Sequence, residues 1–278
     1  MEFLQPSKWR EALEMRAAHP DATALWGGTD VMVEMNFARR RPDALLDLTR
    51  VDELSRWSAE DGWLRIGAGV SYTRVIEELG EALPVLAMAS RTVGSPQIRN
   101  RGTIGGNLGS SSPAGDALPP LYASGADIEL TSVRGTRRIP VEDFITGPKR
   151  NVLADDELIA AVWMPRAQGP QQFAKVGTRN AMVIAVCSFA LDVSDGRVGT
   201  CIGSAGPTPL RAREAEAFAE TLGDELGGGD AEHFGALVAA AASPIDDVRG
   251  TAAYRRHALG VLAKRTLTWA WEERRACA

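Results

Sequence analysis

Two glycine pairs constrain this chain more than any other feature of its sequence. Gly27-Gly28 follows a short apolar run and precedes a helix-like stretch, and Gly105-Gly106 lies in a segment rich in Gly, Ser and Asn. A ligand can approach glycine backbone closely, and consecutive amides can converge on one anion. A helix that begins nearby adds unsatisfied amides, which favour phosphate. Both pairs are candidate phosphate sites, although a plain strand–turn–helix connection capped by Thr29 would also explain the first.

The segment around the second pair is unusually long. Gly94-Ser95-Pro96 and 102–116 carry no amphipathic period and predict a long loop, and such loops inside compact domains are commonly functional. Ser, Asn and Asp side chains suit sugar hydroxyls, and the backbone suits a diphosphate. A structural loop capped by its own side chains is the alternative. No G-x-G-x-x-G or Walker A motif occurs, which disfavours the nucleotide folds that those motifs mark.

The remaining sequence alternates strand-like and helix-like runs. In the first part, strands are predicted at 22–26, 45–48, 63–70, 127–133 and 158–164, and helices at 7–18 with Ser7 as N-cap, 30–40, 72–79 and 84–93. Ala167-Gln168-Gly169-Pro170 interrupts this pattern, so we expect domains at 1–168 and 171–278. In the second, an antiparallel meander is predicted at 173–178, 183–193 and 197–203, followed by helices at 210–222, 231–242 and 252–274. This arrangement predicts an α+β fold.

Charge and cysteine content exclude several classes of protein. The net charge of −5 argues against nucleic-acid binding. Three cysteines without a C-x-x-C pair cannot hold a four-cysteine iron–sulfur cluster alone, and they indicate reduced thiols in a cytoplasmic protein. We expect no signal peptide, no membrane span and no metal site. Solvated faces or salt-bridge partners are expected at the basic runs Arg39-Arg40-Arg41, Arg137-Arg138 and Arg255-Arg256.

Several further motifs follow the glycine pairs in a recognisable order. They are Gly27–Asp30, Val93–Asn107, Ser112–Asp116, Phe173–Lys175, Pro207–Pro209 with Arg211-Ala212, Asp247–Arg249 and Tyr254–Arg256. Over about residues 1–270 the chain resembles the FAD-binding, or medium, subunits of molybdenum hydroxylases, the carbon monoxide dehydrogenase and xanthine dehydrogenase family.

The resemblance implies a fold and a cofactor. The N-terminal part would have the FAD-binding fold of vanillyl-alcohol oxidase and p-cresol methylhydroxylase, with two α+β subdomains and FAD extended between them. A small C-terminal α+β domain, a three-stranded antiparallel sheet with helices, would close the molecule. The diphosphate would rest on the two glycine segments, consistent with the missing G-x-G-x-x-G. The FAD would be non-covalent, because the first glycine loop contains no His or Cys.

The resemblance also implies site residues. Asp116 would accept hydrogen bonds from FAD hydroxyls, Ile159 and Val93 would pack near the cofactor, and Lys175 would reach it from the second domain. Core packing explains Ile159 and Val93 equally well. No catalytic acid or base is expected. The diphosphate would be wrapped by Ala24, Leu25, Trp26, Gly27, Gly28, Thr29, Asp30 and Val31, and by Thr103, Ile104, Gly105, Gly106 and Asn107.

Two positions depart from the family pattern. Trp26 stands where smaller apolar residues are usual, so packing around the adenine or the diphosphate is expected to differ. Val183 replaces a frequent carboxylate, which affects the expected flavin potential and choice of electron acceptor.

The implied role is electron transfer within an enzyme complex. A large subunit would hold the molybdenum cofactor, and a small subunit would pass electrons from 2Fe-2S clusters to FAD, in a dimer of heterotrimers. The flavin would deliver them to an external acceptor. The alternatives are a self-sufficient flavin reductase of the same fold and an FAD-free scaffold subunit.

Overall fold

The computed structural model describes residues 1–194 and 196–277. A three-stranded parallel sheet opens the chain, in the order β1-β3-β2. Parallel strands need crossover connections, and two helices supply them here. The elements are β1 (Glu2–Leu4), α1 (Trp9–Ala18), β2 (Thr23–Leu25), α2 (Val31–Asn36) and β3 (Ala44–Asp47).

Two helix boundaries in this region differ from the prediction. Lys8 and not Ser7 occupies the N-cap position of helix α1, and the Ser7 N–H donates to the Glu11 carboxylate at 2.7 Å. Helix α2 ends at Asn36 because Ala38 adopts a left-handed φ of 53°.

A five-stranded antiparallel sheet follows, in the order β4-β5-β10-β6-β7. Its strands are β4 (Trp57–Glu60), β5 (Trp63–Gly67), β6 (Asp127–Ser132), β7 (Gly135–Pro140) and β10 (Leu158–Pro165). Between β5 and β6 lie α3 (Tyr72–Glu78), α4 (Pro84–Thr92), α5 (Pro96–Arg101), α6 (Ile104–Ser110) and α7 (Leu118–Ala123). A small hairpin, β8 (Ile145–Gly147) and β9 (Arg150–Asn151), precedes β10.

The prediction of one long loop at 94–116 is wrong, since α5 and α6 lie within it. The Ser95 hydroxyl accepts the Ile98 N–H at 3.4 Å, and the Thr103 hydroxyl accepts the Gly106 N–H at 2.9 Å. These are ordinary N-caps. Each helix has fewer than eight residues, which is too short for a recognisable apolar periodicity. The capping residues can still be recognised in the sequence.

The C-terminal part contains the predicted antiparallel meander and the predicted helices, so the α+β fold is confirmed. The order along the sheet is β11 (Gln171–Gly177), β12 (Ala185–Ser194) and β13 (Arg197–Gly203). The helices are α8 (Arg213–Glu220), α9 (Asp230–Ala241) and α10 (Ala252–Cys277).

This third sheet is covered on both faces, which explains the long apolar run of β12. Cys201 and Ala190 on one face belong to the core of the N-terminal part, together with Phe173. The opposite face, with Phe189 and Leu191, packs against α8, α9 and α10. The C-terminal sheet therefore sits directly on the helices of the N-terminal part.

Several of the predicted salt-bridge partners are confirmed. Arg137 pairs with Glu157 at 2.7 Å, and Arg138 pairs with Asp127 at 2.9 Å. The buried Arg255 contacts Asp247 at 2.5 Å and donates to the carbonyl oxygens of Val186 and Ser204. Cys187 and Cys201 are buried free thiols.

Candidate functional site

The two glycine segments lie side by side. A Cβ atom built on Gly27 would lie 2.0 Å from the carbonyl oxygen of Arg101 and 3.1 Å from the amide nitrogen of Gly102, so no other residue fits there. The Ser110 hydroxyl donates to Asp30 Oδ2 at 2.5 Å. These contacts join the turn after β2 to both ends of α6. Residues about eighty positions apart in the chain therefore border one location.

The turn after β2 presents free backbone amides. Gly28 has a φ of 70°, a conformation that glycine adopts without strain. Among residues 1–194 and 196–277, the N–H groups of Gly27, Gly28, Thr29 and Asp30 donate no hydrogen bond. Gly27, Gly28 and Thr29 are half-buried and Asp30 is exposed, and successive unpaired amides of this kind suit an anionic ligand such as a diphosphate.

The second glycine pair serves two different purposes. Gly105 packs on β5's end, where an added Cβ would lie 2.5 Å from the Ala68 carbonyl oxygen, and its N–H donates to that oxygen at 3.2 Å. Gly106 is exposed, and an added Cβ would meet only the Thr103 hydroxyl, at 3.2 Å. The amides of Gly105, Gly106 and Asn107 are already bonded within the protein. Gly106 therefore offers close approach, whereas free amides come from the first turn.

Asn107 shapes the floor next to α6. Its Oδ1 accepts the Ala117 N–H at 3.3 Å, and its amide group lies so close to Gly115 that a Cβ there would be 2.7 Å from Oδ1. This contact holds the start of the segment that carries Asp116.

Asp116 forms a buried ion pair across the two parts of the chain. Lys175 on β11 donates from Nζ to Asp116 Oδ2 at 2.6 Å and to the Thr92 carbonyl oxygen at 3.2 Å. Burial raises the pKa of Asp116, and the Lys175 ammonium opposes that rise. Asp116 Oδ1 is buried and has no hydrogen-bond partner within the described chain. An orphaned buried acceptor of this kind suits a ligand hydroxyl.

The apolar candidates lie at different edges of this region. Ile159 on β10 is buried, and its Cδ1 atom would lie 3.9 Å from a Cβ on Gly109 of α6. Val93 is half-buried at the end of α4, where Arg99 donates to its carbonyl oxygen at 3.1 Å and to that of Gly94 at 3.0 Å. Ala24 and Leu25 belong to β2, and Val31 opens α2.

The two departures from the family pattern have local explanations. The six-membered ring of Trp26 rests against Gly69, where an added Cβ would lie 2.7 Å from it. Trp26 is thus accommodated by the protein itself. Val183 packs against Gly177 in the turn between β11 and β12.

Sequence reasoning missed two contributors. The Thr92 carbonyl oxygen and Tyr72 join the site only through tertiary contacts, and no local signal identifies them. Ser110 lies within the predicted segment 102–116, but its bond to Asp30 is a tertiary contact. Tyr72 lies against Gly102, and burial raises the pKa of its phenol, so the hydroxyl stays neutral.

The described residues contain no cluster of His, Cys, Asp and Glu that could hold a metal ion. Within those same ranges, no helix is both long enough and apolar enough to cross a membrane.

Family models account for nearly the whole chain. Residues 1–167 match the FAD binding domain in molybdopterin dehydrogenase, and residues 172–270 match the CO dehydrogenase flavoprotein C-terminal domain. The chain belongs to the FAD-binding subunit family of the molybdopterin dehydrogenases. This membership makes it an oxidoreductase subunit.

Individual relatives agree with this flavoprotein assignment. The nicotinate dehydrogenase FAD-subunit of Eubacterium barkeri is 34% identical over 77% of this chain and 78% of its own length. The nicotine 6-hydroxylase medium subunit of Paenarthrobacter nicotinovorans is 29% identical over 95% of both chains. A chain of carbon monoxide dehydrogenase from Hydrogenophaga pseudoflava superposes with a TM-score of 0.89 at 28% identity, covering 98% of each chain.

Proposed function

We propose that this flavoprotein subunit holds FAD non-covalently in the cleft between the first glycine turn, α6 and β11. The observation that carries the proposal is that the four backbone amides at 27–30 and the buried Oδ1 of Asp116 all have no hydrogen-bond partner within the described residues. Free amides suit the diphosphate, and a carboxylate oxygen suits a ribityl or ribose hydroxyl. Bound FAD supplies the ability to accept and release electrons, and the protein contributes position and electrostatics.

Each part of the cleft has a proposed role. Lys175 opposes the rise in the pKa of Asp116 and holds the carboxyl group in place, and Ile159 and Val93 provide apolar contacts. Gly27 lets the first turn pack against Arg101, and Gly106 allows close approach of the diphosphate. The remaining proposed contacts come from the neighbouring backbone and side chains, Ala24, Leu25, Trp26, Gly28, Thr29, Asp30 and Val31 with Thr103, Ile104, Gly105 and Asn107.

The proposed assembly follows the names of the relatives. A relative named as a medium subunit supports a multi-subunit complex. We infer that a small subunit delivers electrons from 2Fe-2S clusters to FAD, that a large subunit carries the molybdenum cofactor, and that the complex is a dimer of heterotrimers. The external acceptor then takes electrons from the flavin. We place the complex in the cytoplasm and the domain boundary between residues 168 and 171.

The substitution Gly106→Val tests the site. A valine side chain there meets little protein, so the fold should survive, while the side chain occupies space proposed for the diphosphate. We expect at least a tenfold loss of flavin absorbance per polypeptide, with an unchanged circular dichroism spectrum.

Gly223→Val is the matched control, because no atom lies within 4 Å of a Cβ at that glycine. It should retain flavin like the parent. Full flavin content in Gly106→Val would contradict the site. A parent chain that stays colourless after FAD is supplied would favour the scaffold alternative.

A further inference from the structure

Helix α2 directly follows the first glycine turn, and little of the protein holds it in place. None of its six residues is buried. Within the described ranges, no strand or other helix packs extensively against it. Most helices in proteins are held mainly by tertiary packing. The free amides of Gly28, Thr29 and Asp30 lie just before α2, so their position depends on whatever else holds this helix.

Among residues 1–194 and 196–277, two hydrogen bonds connect the segment 28–41 to the rest of the protein. The Ser110 hydroxyl donates to Asp30, immediately before α2. The Lys149 ammonium donates to the carboxylate of Glu34, within α2. Glu34 is half-buried, and the pair with Lys149 is a charged link between α2 and the body of the protein.

The backbone of Lys149 is itself firmly held. It lies between β8 and β9 with a left-handed φ of 56°, which is uncommon for residues other than glycine. Its N–H donates to the Ser111 carbonyl oxygen at 2.9 Å, and Asn151 Nδ2 donates to the Ser111 hydroxyl at 3.0 Å. Both bonds fasten the hairpin to the C-terminal end of α6. The side chain of Lys149 thus connects α6, on one side of the candidate site, to α2 on the other.

We propose that Lys149 is a positioning residue for FAD, and that its ion pair with Glu34 is a clasp that keeps the free amides of the first glycine turn beside α6. When the clasp opens, α2 moves away from α6 and the cofactor is released. This inference rests on the proposed function for the identity of the ligand. It adds the contact that sets how long the ligand stays bound.

A direct contact between Lys149 and the diphosphate would have different consequences. In that case Lys149 would attract the anionic ligand, and the negative charge of Glu34 would oppose binding. In the clasp, the two charges act together, and the loss of either one loosens α2. The hydrogen bond from Lys149 lowers the pKa of Glu34, so this carboxylate is charged at neutral pH. A neutral residue in place of Glu34 therefore separates the two mechanisms.

The rate of FAD release from the full chain tests the clasp in Lys149→Met, Glu34→Gln and the double variant. Release is followed by flavin fluorescence after dilution. We expect both single variants to release FAD roughly three- to fivefold faster than the parent, as for the loss of one partly exposed ion pair. The double variant should be no faster than either single one, because all three lose the same link. The difference from the parent should shrink as salt is added, since salt screens exposed charges.

Two further variants serve as controls. Lys149→Arg keeps the positive charge and should release FAD more slowly than Lys149→Met. Lys264→Met removes another exposed lysine–glutamate pair, the one with Glu232 that joins α10 to α9, and it should release FAD like the parent.

A second measurement does not need the cofactor. The arginines at 39–41 are exposed just after α2, and trypsin cleaves a folded chain where it opens locally. In the FAD-free chain, cleavage at these arginines should be faster in both clasp variants than in the parent.

Parental rates of release and of cleavage in both single variants would overturn the proposal. Faster release in Lys149→Met together with slower release in Glu34→Gln would also overturn it, because that result indicates a direct contact between Lys149 and the diphosphate. Additive effects in the double variant would contradict a shared link. A parent that binds no FAD would contradict the proposed function alone, since the cleavage rates still report on the clasp.

Discussion

At the residue scale, the contact between Lys175 and Asp116 governs the charge of the candidate site. Both side chains are at least nine-tenths buried, and the pair joins the C-terminal sheet to the segment after α6. Removing one partner of a buried pair leaves an uncompensated charge, whereas removing both does not. The pair therefore explains how a buried acceptor oxygen can be kept at the candidate site.

Lys175→Met should destabilise the protein by about 3 kcal/mol near neutral pH. Without the ammonium, the pKa of Asp116 rises further above its unfolded value of about 3.9. A carboxyl whose pKa is raised by folding loses its stabilising effect as the pH rises through that pKa. The deficit should thus be larger at pH 8 than at pH 5 in urea unfolding.

The double variant Asp116→Asn/Lys175→Met is the control for this prediction. It buries no unpaired charge, so its deficit should be smaller and nearly independent of pH. Equal, pH-independent deficits in the single and double variants would argue that the ion pair does not control the charge of Asp116.

At the element scale, the segments that follow β2 and β5 pack against each other. Trp26 follows β2, and its ring lies against Gly69, which follows β5 and has no side chain. The Trp26 ring fills the space above Gly69, which places the first glycine turn relative to the five-stranded sheet. The turn therefore depends on a packing contact for its position, in addition to its own glycines.

Gly69→Ala should disturb this contact, because the added methyl group would lie 2.7 Å from the Trp26 ring. We expect a loss of about 1–3 kcal/mol in the free energy of unfolding, as for other overpacked sites. FAD affinity should also fall, since the turn must move. The second-site change Trp26→Leu should recover part of both losses. No recovery in the double variant would mean that Gly69 serves a purpose other than accommodating Trp26.

At the scale of the whole molecule, the two parts of the chain share a core. β13 approaches α7 so closely that a Cβ on Gly199 would lie 1.9 Å from the Ala123 carbonyl oxygen. Gln171 adds a buried bridge: it accepts the Val85 N–H at 3.1 Å and donates to Asp192 at 2.7 Å. The candidate site takes Asp116 from one part and Lys175 from the other, so its shape depends on this contact.

Gly199→Ala should force β13 away from α7. We expect a loss of about 3 kcal/mol and reduced cooperativity between the two parts, seen as a broadened calorimetric transition. Gly228→Ala is a control with open space around the added methyl group. A single, unshifted transition in Gly199→Ala would show that β13 does not pack tightly against α7.

Local chemistry in the sequence determined much of this protein. The alternating apolar runs predicted the C-terminal meander and its helices, because each strand and helix must bury an apolar face wherever it packs. The motif order around Gly27-Gly28 and Gly105-Gly106 identified the family. The capping residues Ser95 and Thr103 also mark the starts of α5 and α6 in the sequence, although these short helices show no apolar periodicity.

The tertiary structure alone decided which elements meet. Periodicity reports that a face is buried, but not against what. The contact of Gly27 with Arg101, the bond from Ser110 to Asp30 and the pairing of Lys175 with Asp116 each join residues that are 59 or more positions apart. The exposed side of α2 is likewise invisible in the sequence, where its apolar residues resemble an ordinary core helix. Such pairings follow from the packing of whole sheets, which no local run of residues encodes.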